Sequence, residues 1–363
     1  MKICHIINSL NRGGAETHLL DLCKEQVSKG LNVEVISIGQ DKINIYSVEN
    51  DISNLHIKIH RLNGPRMFNP ISYIKLKQLI KDKNFDIVHS HQPRSDYMIF
   101  LLKKIFKKSL NFKWIVSIHG KYNTYLDKTF MNKLKLIFFK YLYKAWEYAD
   151  QLIVISKEVE DWVRKLNSNL KPIVINYWIS NKNVTKNLSN DRITFGFLGR
   201  LNKNKGIEDL IDSLNFVNID FNCIVGGIGS TDYMQYLNSK ILEKNKQKIK
   251  FLGYVENQEN FFNSIDVFIF PSYSEGLGLV LLEALSYKKL CITRNNPPMN
   301  QFVSNDNGYL FNNLEDLISQ IELAYKEYNI ESIYSDKIKN IEMILKKYDV
   351  KVIYPMIEKV YRL

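Results

Sequence analysis

Ser274-Glu275-Gly276-Leu277-Gly278-Leu279-Val280-Leu281-Leu282-Glu283-Ala284-Leu285 sets two carboxylates eight positions apart across a glycine-broken apolar run. The stretch Asp266-Val267-Phe268-Ile269-Phe270-Pro271-Ser272 just before it reads as a strand, so Glu275 falls in a loop at a strand's carboxyl end. Gly276 and Gly278 let the backbone turn sharply and open a helix. The first amides of such a helix lack intrahelical partners and lie at the positive end of its dipole, a setting that accepts an anion such as a phosphate. Glu283 lies about two turns beyond Glu275 near the same face, where an acid can accept ribose hydroxyls. Together these features suggest a site for a sugar nucleotide. The plain alternative is an ordinary strand-loop-helix unit with two solvated acids, and the other motifs of the chain bear on that choice.

The segment resembles the E-x7-E signature of the retaining glycosyltransferases of family 4. The resemblance implies a GT-B fold of class α/β, with two Rossmann-like domains facing across a cleft and a C-terminal helix crossing back to the first domain. It places Glu275 by the donor sugar, Glu283 on the ribose, and the backbone from Gly276 through Gly278, Leu279 and Val280 around the diphosphate.

The rest of the chain alternates strand and helix patterns in a way that suits this expectation. In the first half, strand candidates are Lys2 to Ser9, Val33 to Gly39, Ile57 to Leu62, Asp86 to His91, Trp114 to His119, Leu152 to Ser156 and Pro172 to Asn176. Helical patterns fall between them, at Glu16 to Lys29, Ser72 to Lys81, Asp96 to Lys107, Lys128 to Tyr148 and Lys157 to Leu166. Mostly apolar strands with intervening helices imply a parallel sheet covered on both faces. A polar stretch over 180–190 reads as a linker, after which the alternation restarts at Ile193 to Gly199 and continues to Leu290 to Thr293. At 363 residues two cores are the natural division: 1–178 for the acceptor, 179–347 for the nucleotide sugar, and 348–363 as a helix, interrupted in pattern by Pro355, that packs back on the first domain.

Further motifs fall in family order. Gly13-Gly14-Ala15-Glu16 opens the first helix, and the resemblance places Gly13 and Gly14 near donor and acceptor. Gly199-Arg200-Leu201-Asn202-Lys203-Asn204-Lys205-Gly206 ends the first strand of the second domain. Here the family has an Arg and a Lys, matched by Arg200 and Lys205, that neutralise the leaving diphosphate without a metal. His119 stands where the family has a His beside the donor sugar. Val255, in Gly253-Tyr254-Val255, resembles the segment packed against the base, and Gly226-Gly227-Ile228-Gly229 the family's glycine turn. His89 and His91 share one face of a strand, but no third ligand is visible beside them in the sequence, so a metal pair is rejected. Arg94, Ser95 and Asp96 begin the next helix, on what the family would make the acceptor side. No D-x-D motif of metal-dependent transferases occurs. The chain departs from the family at Ser286-Tyr287-Lys288-Lys289-Leu290-Cys291, at Asn300-Gln301, and at Asn176-Tyr177-Trp178, where an Asn-Gly turn is usual.

Charge separates the halves. Residues 1–176 carry 28 basic and 16 acidic side chains, and 177–363 carry 22 of each, so the whole +12 lies in the first half. Such a field suits an anionic membrane, an acidic lipid-phosphate acceptor or nucleic acid. Nucleic acid is set aside, since no binding module accompanies the basic stretches. The pattern Leu134, Ile137, Phe138, Tyr141, Leu142, Ala145, with Lys133, Lys135, Lys140 and Lys144, and the cluster Lys103, Lys104, Lys107, Lys108, could lie on a bilayer or cover a sheet. No signal peptide or transmembrane run is read. The four cysteines show no C-x-x-C or Cys/His clustering and read as buried thiols in a reducing compartment.

The expected activity is transfer of a sugar, with retention, from a nucleotide sugar, UDP-linked, to a hydroxyl of a lipid-linked or growing surface glycan. The expected setting is the cytoplasm, peripheral on the inner face of the membrane, with no metal and no cofactor beyond the donor. Two alternatives stay open: a transferase with a soluble small-molecule acceptor, and a non-catalytic sugar-nucleotide or glycan-binding subunit.

Overall fold

The computed structural model describes residues 1–39, 46–64, 69–106, 109–122, 139, 141–180, 182 and 192–363. The chain divides into two compact units, Met1–Tyr177 with Tyr354–Leu363, and Trp178–Ile353.

In the first unit, β1 (Lys2–Ile7), β2 (Asn32–Ser37), β3 (Lys58–Arg61), β4 (Ile87–Ser90), β5 (Lys113–Ile118), β6 (Gln151–Val154) and β7 (Ile173–Val174) form one sheet in the order β3-β2-β1-β4-β5-β6-β7. Every pair is parallel. Parallel strands need crossovers, and the helices Gly14–Ser28, Pro70–Lys83, Pro93–Phe106 and Lys157–Leu166 supply most of them. Order reverses between β1 and β4. In open α/β sheets that point leaves a crevice at the strands' carboxyl ends, so the loops after β1 and β4 are the positions for a ligand.

The second unit repeats the arrangement with β8 (Ile193–Leu198), β9 (Phe221–Gly226), β10 (Ile249–Gly253), β11 (Val267–Phe270), β12 (Leu290–Arg294) and β13 (Tyr309–Phe311), ordered β10-β9-β8-β11-β12-β13 and again parallel. Its switch lies between β8 and β11. These are the strands that lead into Arg200 and into Glu275. Its core is aromatic: Phe195, Phe197, Phe268 and Phe270 are wholly buried, with Phe197 and Phe268 each stacked on Phe270.

One device recurs at the strand openings. The carboxylates of Asp86, Asp150 and Asp266 accept the backbone amides of Lys2, Trp114 and Thr194 at 2.6, 2.7 and 2.8 Å, while each Asp amide donates back to the same residue's carbonyl. Each Asp thus extends a ladder by one rung with a charge-assisted bond. The tail is a continuous helix, Val350–Arg362, with Pro355 inside it. Pro355 removes the partner of the Lys351 carbonyl, and both residues are exposed, so the gap faces solvent. All four cysteines are buried free thiols, two in each unit.

Of the helical stretch that could lie on a bilayer or cover a sheet, Leu134, Ile137, Phe138, Lys133, Lys135 and Lys140 lie outside the described residues, as do Lys107, Lys108 and most of the 180–190 linker. Leu142 and Ala145 are fully buried and Tyr141 is exposed. Among the described residues no helix is long and apolar enough to cross a membrane.

Candidate active site

The loop after β8 carries Lys205 in a short 3-10 turn closed by Gly206. Gly206 sits at φ +68°, and a Cβ there would fall 2.1 Å from the Pro271 carbonyl oxygen, so the loop can pack on the one after β11 only with glycine. The Asn204 carbonyl stitches the two loops, accepting from the Tyr273 amide at 2.9 Å and the Ser272 hydroxyl at 3.2 Å. This contact brings Lys205 Nζ to 2.6 Å from Glu275 Oε1, both side chains more than four-fifths buried. Gly278, at φ +83°, caps the helix Leu279–Ser286 without a side-chain bond, and acid is absent from its first turn. Its leading amides, on half-buried Leu279 and Val280, keep the anion-accepting character expected of them. Arg200 is exposed and has no hydrogen bond or ion pair among the described residues. Glu283 is half-buried on the first turns of the same helix and Gly276 lies in the loop beside Glu275. Val255 leans over Gly226, 2.6 Å from where a Cβ would be. The glycine turn after β9 is held by backbone: Gly227 donates to the Gly253 carbonyl at 2.7 Å, and Leu201 to that of Ile228 at 2.9 Å.

Thus Arg200, Lys205 and Glu275 come from the loops on either side of one topological switch. A diphosphate held by the helix amides would share Lys205 with Glu275, whose charge the lysine already balances.

In the first unit, Gly13 caps the helix Gly14–Ser28 with extended backbone and no side-chain bond. The carboxylate of buried Glu16 folds over it, its Oε2 2.7 Å from where a Gly13 Cβ would stand, and its Oε1 accepts from Gln92 at 2.7 Å. Space beside Gly14 is open. Negative charge therefore already lies at this helix start, unlike that of Leu279–Ser286. Ser95 and Asp96 are fully buried, the latter accepting from Trp146 Nε1 at 3.0 Å, so neither lines a surface as expected. Arg94 donates to the Gly64 carbonyl at 2.7 Å.

His119 follows directly on β5 and is the partly exposed end of a buried histidine cluster. Its Nε2 lies 3.1 Å from His91 Nδ1, and its Nδ1 pairs with the Tyr177 hydroxyl. His91 Nε2 meets His5 Nδ1 at 2.9 Å, and His5 Nε2 meets Gln26 Oε1 at 2.8 Å. Tyr177, from the segment that departs from the family turn, also stacks on His18 with centroids 3.9 Å apart. Burial lowers His5 to about 4 and His119 to about 3, and holds His18, His89 and His91 well below the ordinary range, so all five rings are neutral near pH 7. The third imidazole that spacing could not reveal is His5: it, His89 and His91 offer ring nitrogens within 4.8 Å of one another. Contrary to the sequence reading, a third imidazole thus stands beside His89 and His91. His5 sits 84 residues away on β1, and only strand pairing shows it, with His5 opposite His89.

Two family models match in succession, the one for "Glycosyltransferase Family 4" over residues 12–177 and the one for "Glycosyl transferases group 1" over 180–341. The chain belongs to this glycosyltransferase family. Among curated relatives of this glycosyltransferase, the O-antigen biosynthesis glycosyltransferase WclY of Escherichia coli is 26% identical over 307 residues, 82% of this chain and 81% of that one. The capsular polysaccharide biosynthesis glycosyltransferase CapH of Staphylococcus aureus is 27% identical over 320 residues, 83% and 84% of the two chains. Among solved structures, Anabaena HepE in complex with UDP-glucose superposes with a TM-score of 0.83 at 17% identity, covering both chains fully. That likeness shows the fold, two parallel α/β sheets of GT-B type.

Proposed function

We propose that this glycosyltransferase moves a sugar from a UDP-sugar to a hydroxyl of a lipid-linked or growing surface glycan of O-antigen or capsule type, with retention and without a metal. The observation that carries the reading is the Lys205–Glu275 ion pair beside an open helix N-terminus at one switch point, with exposed Arg200 in the same loop as Lys205. Fixed cations and amides of this kind stabilise a departing nucleoside diphosphate. The names of WclY and CapH support the polysaccharide setting, and the UDP-glucose held by HepE supports the nucleotide.

In the proposed reaction the acceptor oxygen bonds to the anomeric carbon on the face that the diphosphate leaves. The bond from that carbon to the phosphate oxygen breaks with its electron pair, and the acceptor hydroxyl proton passes to the departing phosphate. Arg200, Lys205 and the amides of Leu279 and Val280 hold the leaving charge; Glu275 and His119 orient the sugar; Glu283 accepts from the ribose; and Val255 lies against the base. Gly13 and Gly14 form the turn facing donor and acceptor. The basic first half sits peripherally on the anionic inner face of the cytoplasmic membrane, where a lipid-linked acceptor is presented.

The test is binding and slow hydrolysis across UDP-, GDP- and ADP-sugars, with and without chelator, comparing wild type with Glu275→Ala and Arg200→Ala. Selective UDP-sugar binding, with chelator-insensitive hydrolysis lost in both variants, is expected. Binding to no donor would overturn the catalytic reading in favour of an interaction subunit.

A further inference from the structure

Beyond the diphosphate machinery, the first unit contains a buried chain of hydrogen bonds. Starting at His119 it runs through His91, His5 and Gln26, then from Gln26 Nε2 to the Tyr361 hydroxyl at 3.0 Å, from Tyr361 to His89 Nδ1 at 2.8 Å, and from His89 Nε2 to the Ser117 hydroxyl at 2.8 Å. Its members come from β1, β4, β5, the first helix and the C-terminal helix. His5, His89, His91, Gln26 and Tyr361 are each at least nine-tenths buried, so each polar atom needs a partner inside the chain.

Donor counting ties the direction of every bond to the way the Gln26 amide faces. The Gln26 amide nitrogen faces Tyr361, so its oxygen faces His5 and must receive the His5 Nε2 proton. A neutral imidazole carries one proton, so His5 Nδ1 accepts, and His91 Nε2 must donate to it. His91 Nδ1 then accepts from His119 Nε2, and His119 Nδ1 accepts from the Tyr177 hydroxyl. On the other limb Tyr361, already accepting from Gln26, donates to His89 Nδ1, and His89 Nε2 donates to Ser117. Tyr361 could accept from both Gln26 and His89 only by leaving its own buried proton without an acceptor; with that proton spent inside the array, the one other assignment is complete reversal, which requires the Gln26 amide turned end for end. The array is all-or-none.

We propose that Gln26 and Tyr361 are positioning residues that set the tautomer of His119 through this array, holding its proton on Nε2 and keeping Nδ1 as the acceptor from Tyr177. The tautomer follows from the way the Gln26 amide faces, whereas its effect on turnover rests on the placement of His119 by the donor sugar. A single amide, more than two residues removed from His119 along the array, thereby decides which ring nitrogen of the site histidine bears hydrogen.

The experiment is ring 15N spectroscopy of the full-length protein labelled at histidine, near pH 7. In the wild type His5, His89, His91 and His119 are all neutral Nε2–H tautomers. Gln26→Met removes the acceptor that starts the array, and His119, His91 and His5 become mixtures. Gln26→Glu keeps an acceptor toward His5, so these three rings stay as in the wild type. Tyr361→Phe releases the Gln26 amide and mixes all four rings. Where donor turnover is measurable, kcat falls on the order of tenfold in Gln26→Met with donor KM held, and Gln26→Glu restores most of it. A Nδ1–H tautomer or an imidazolium at His119 in the wild type would overturn the proposal. So would tautomers unchanged in folded Gln26→Met, with Tyr361→Phe read in its place if that variant does not fold. Stoichiometric Zn2+ binding abolished by His5→Ala would also overturn it, because three rings holding an ion cannot form the array. Absence of turnover with the expected tautomers would sink the transferase reading and leave the array standing.

Discussion

Lys205 and Glu275 meet at 2.6 Å, so changing either alters the charge its partner sees. Lys205→Met removes a cation from the leaving group and leaves the Glu275 carboxylate unbalanced beside the phosphate site. We expect kcat/KM to fall roughly a hundredfold, with weaker UDP binding by calorimetry. Glu275→Gln keeps shape and removes the opposing charge, so UDP binds at least as tightly while kcat falls. Equal loss of UDP binding in both would refute this division. Asp96 offers a test of stability. Burial raises its carboxyl to about 7, and Oδ1 has no hydrogen-bond partner among the described residues. Between the ordinary carboxylate pKa and 7 the folded chain holds a proton that the unfolded chain releases, so this contribution is present at low pH and is lost as pH rises toward 7. The neutral buried histidines have the opposite sign: below about 6.5 the unfolded chain takes up protons that the folded chain refuses, so this contribution is lost as pH falls. The urea midpoint of Asp96→Asn relative to wild type should therefore rise from pH 5 to pH 8, and a flat difference would contradict the assignment. The pairing of Lys205 with Glu275 could be anticipated because each stands in a short motif with its own glycine. That of His5, Gln26 and Tyr361 could not, since Gln26 and Tyr361 are 335 positions apart and meet through tertiary packing alone.

At the scale of elements, the loop after β8 depends on a residue without a side chain. Gly206→Ala places a methyl group against the Pro271 carbonyl in left-handed backbone, and should cost about 2–4 kcal/mol by denaturant unfolding. Its loss of donor binding should exceed what unfolding explains, because the same shift separates Lys205 from Glu275. A variant with wild-type stability and binding would show that the loops move independently. Strands and crossover helices could be read from the sequence wherever apolar runs reached four residues or more. The three-residue β13 is too short to show alternation, and the helical stretch over Leu314–Leu345 was not read, so the edge of the second sheet stayed unseen. Pro355 suggested a break that the helix does not make, because the lost bond lies on the solvent side.

Across the whole molecule, the separation of charge makes the first half a cation of twelve formal units and the second half neutral. If the basic half meets the membrane, cosedimentation with vesicles rich in anionic lipid should be strong at about 0.05 M salt and largely lost by about 0.5 M. Binding unaffected by salt would point to an apolar contact, and no binding to a soluble acceptor. Both sheets were legible as parallel and doubly wound from sequence, and so was the motif order that sets the second switch point. The four cysteines add a practical property. Cys4 and Cys23 lie in one unit, Cys223 and Cys291 in the other, and burial pushes every thiol above its ordinary pKa. The folded chain should thus be silent to thiol reagents, and each pair becomes reactive only when its own unit opens. Pulsed alkylation read by peptide mass would then time the opening of each half separately, with no label to introduce.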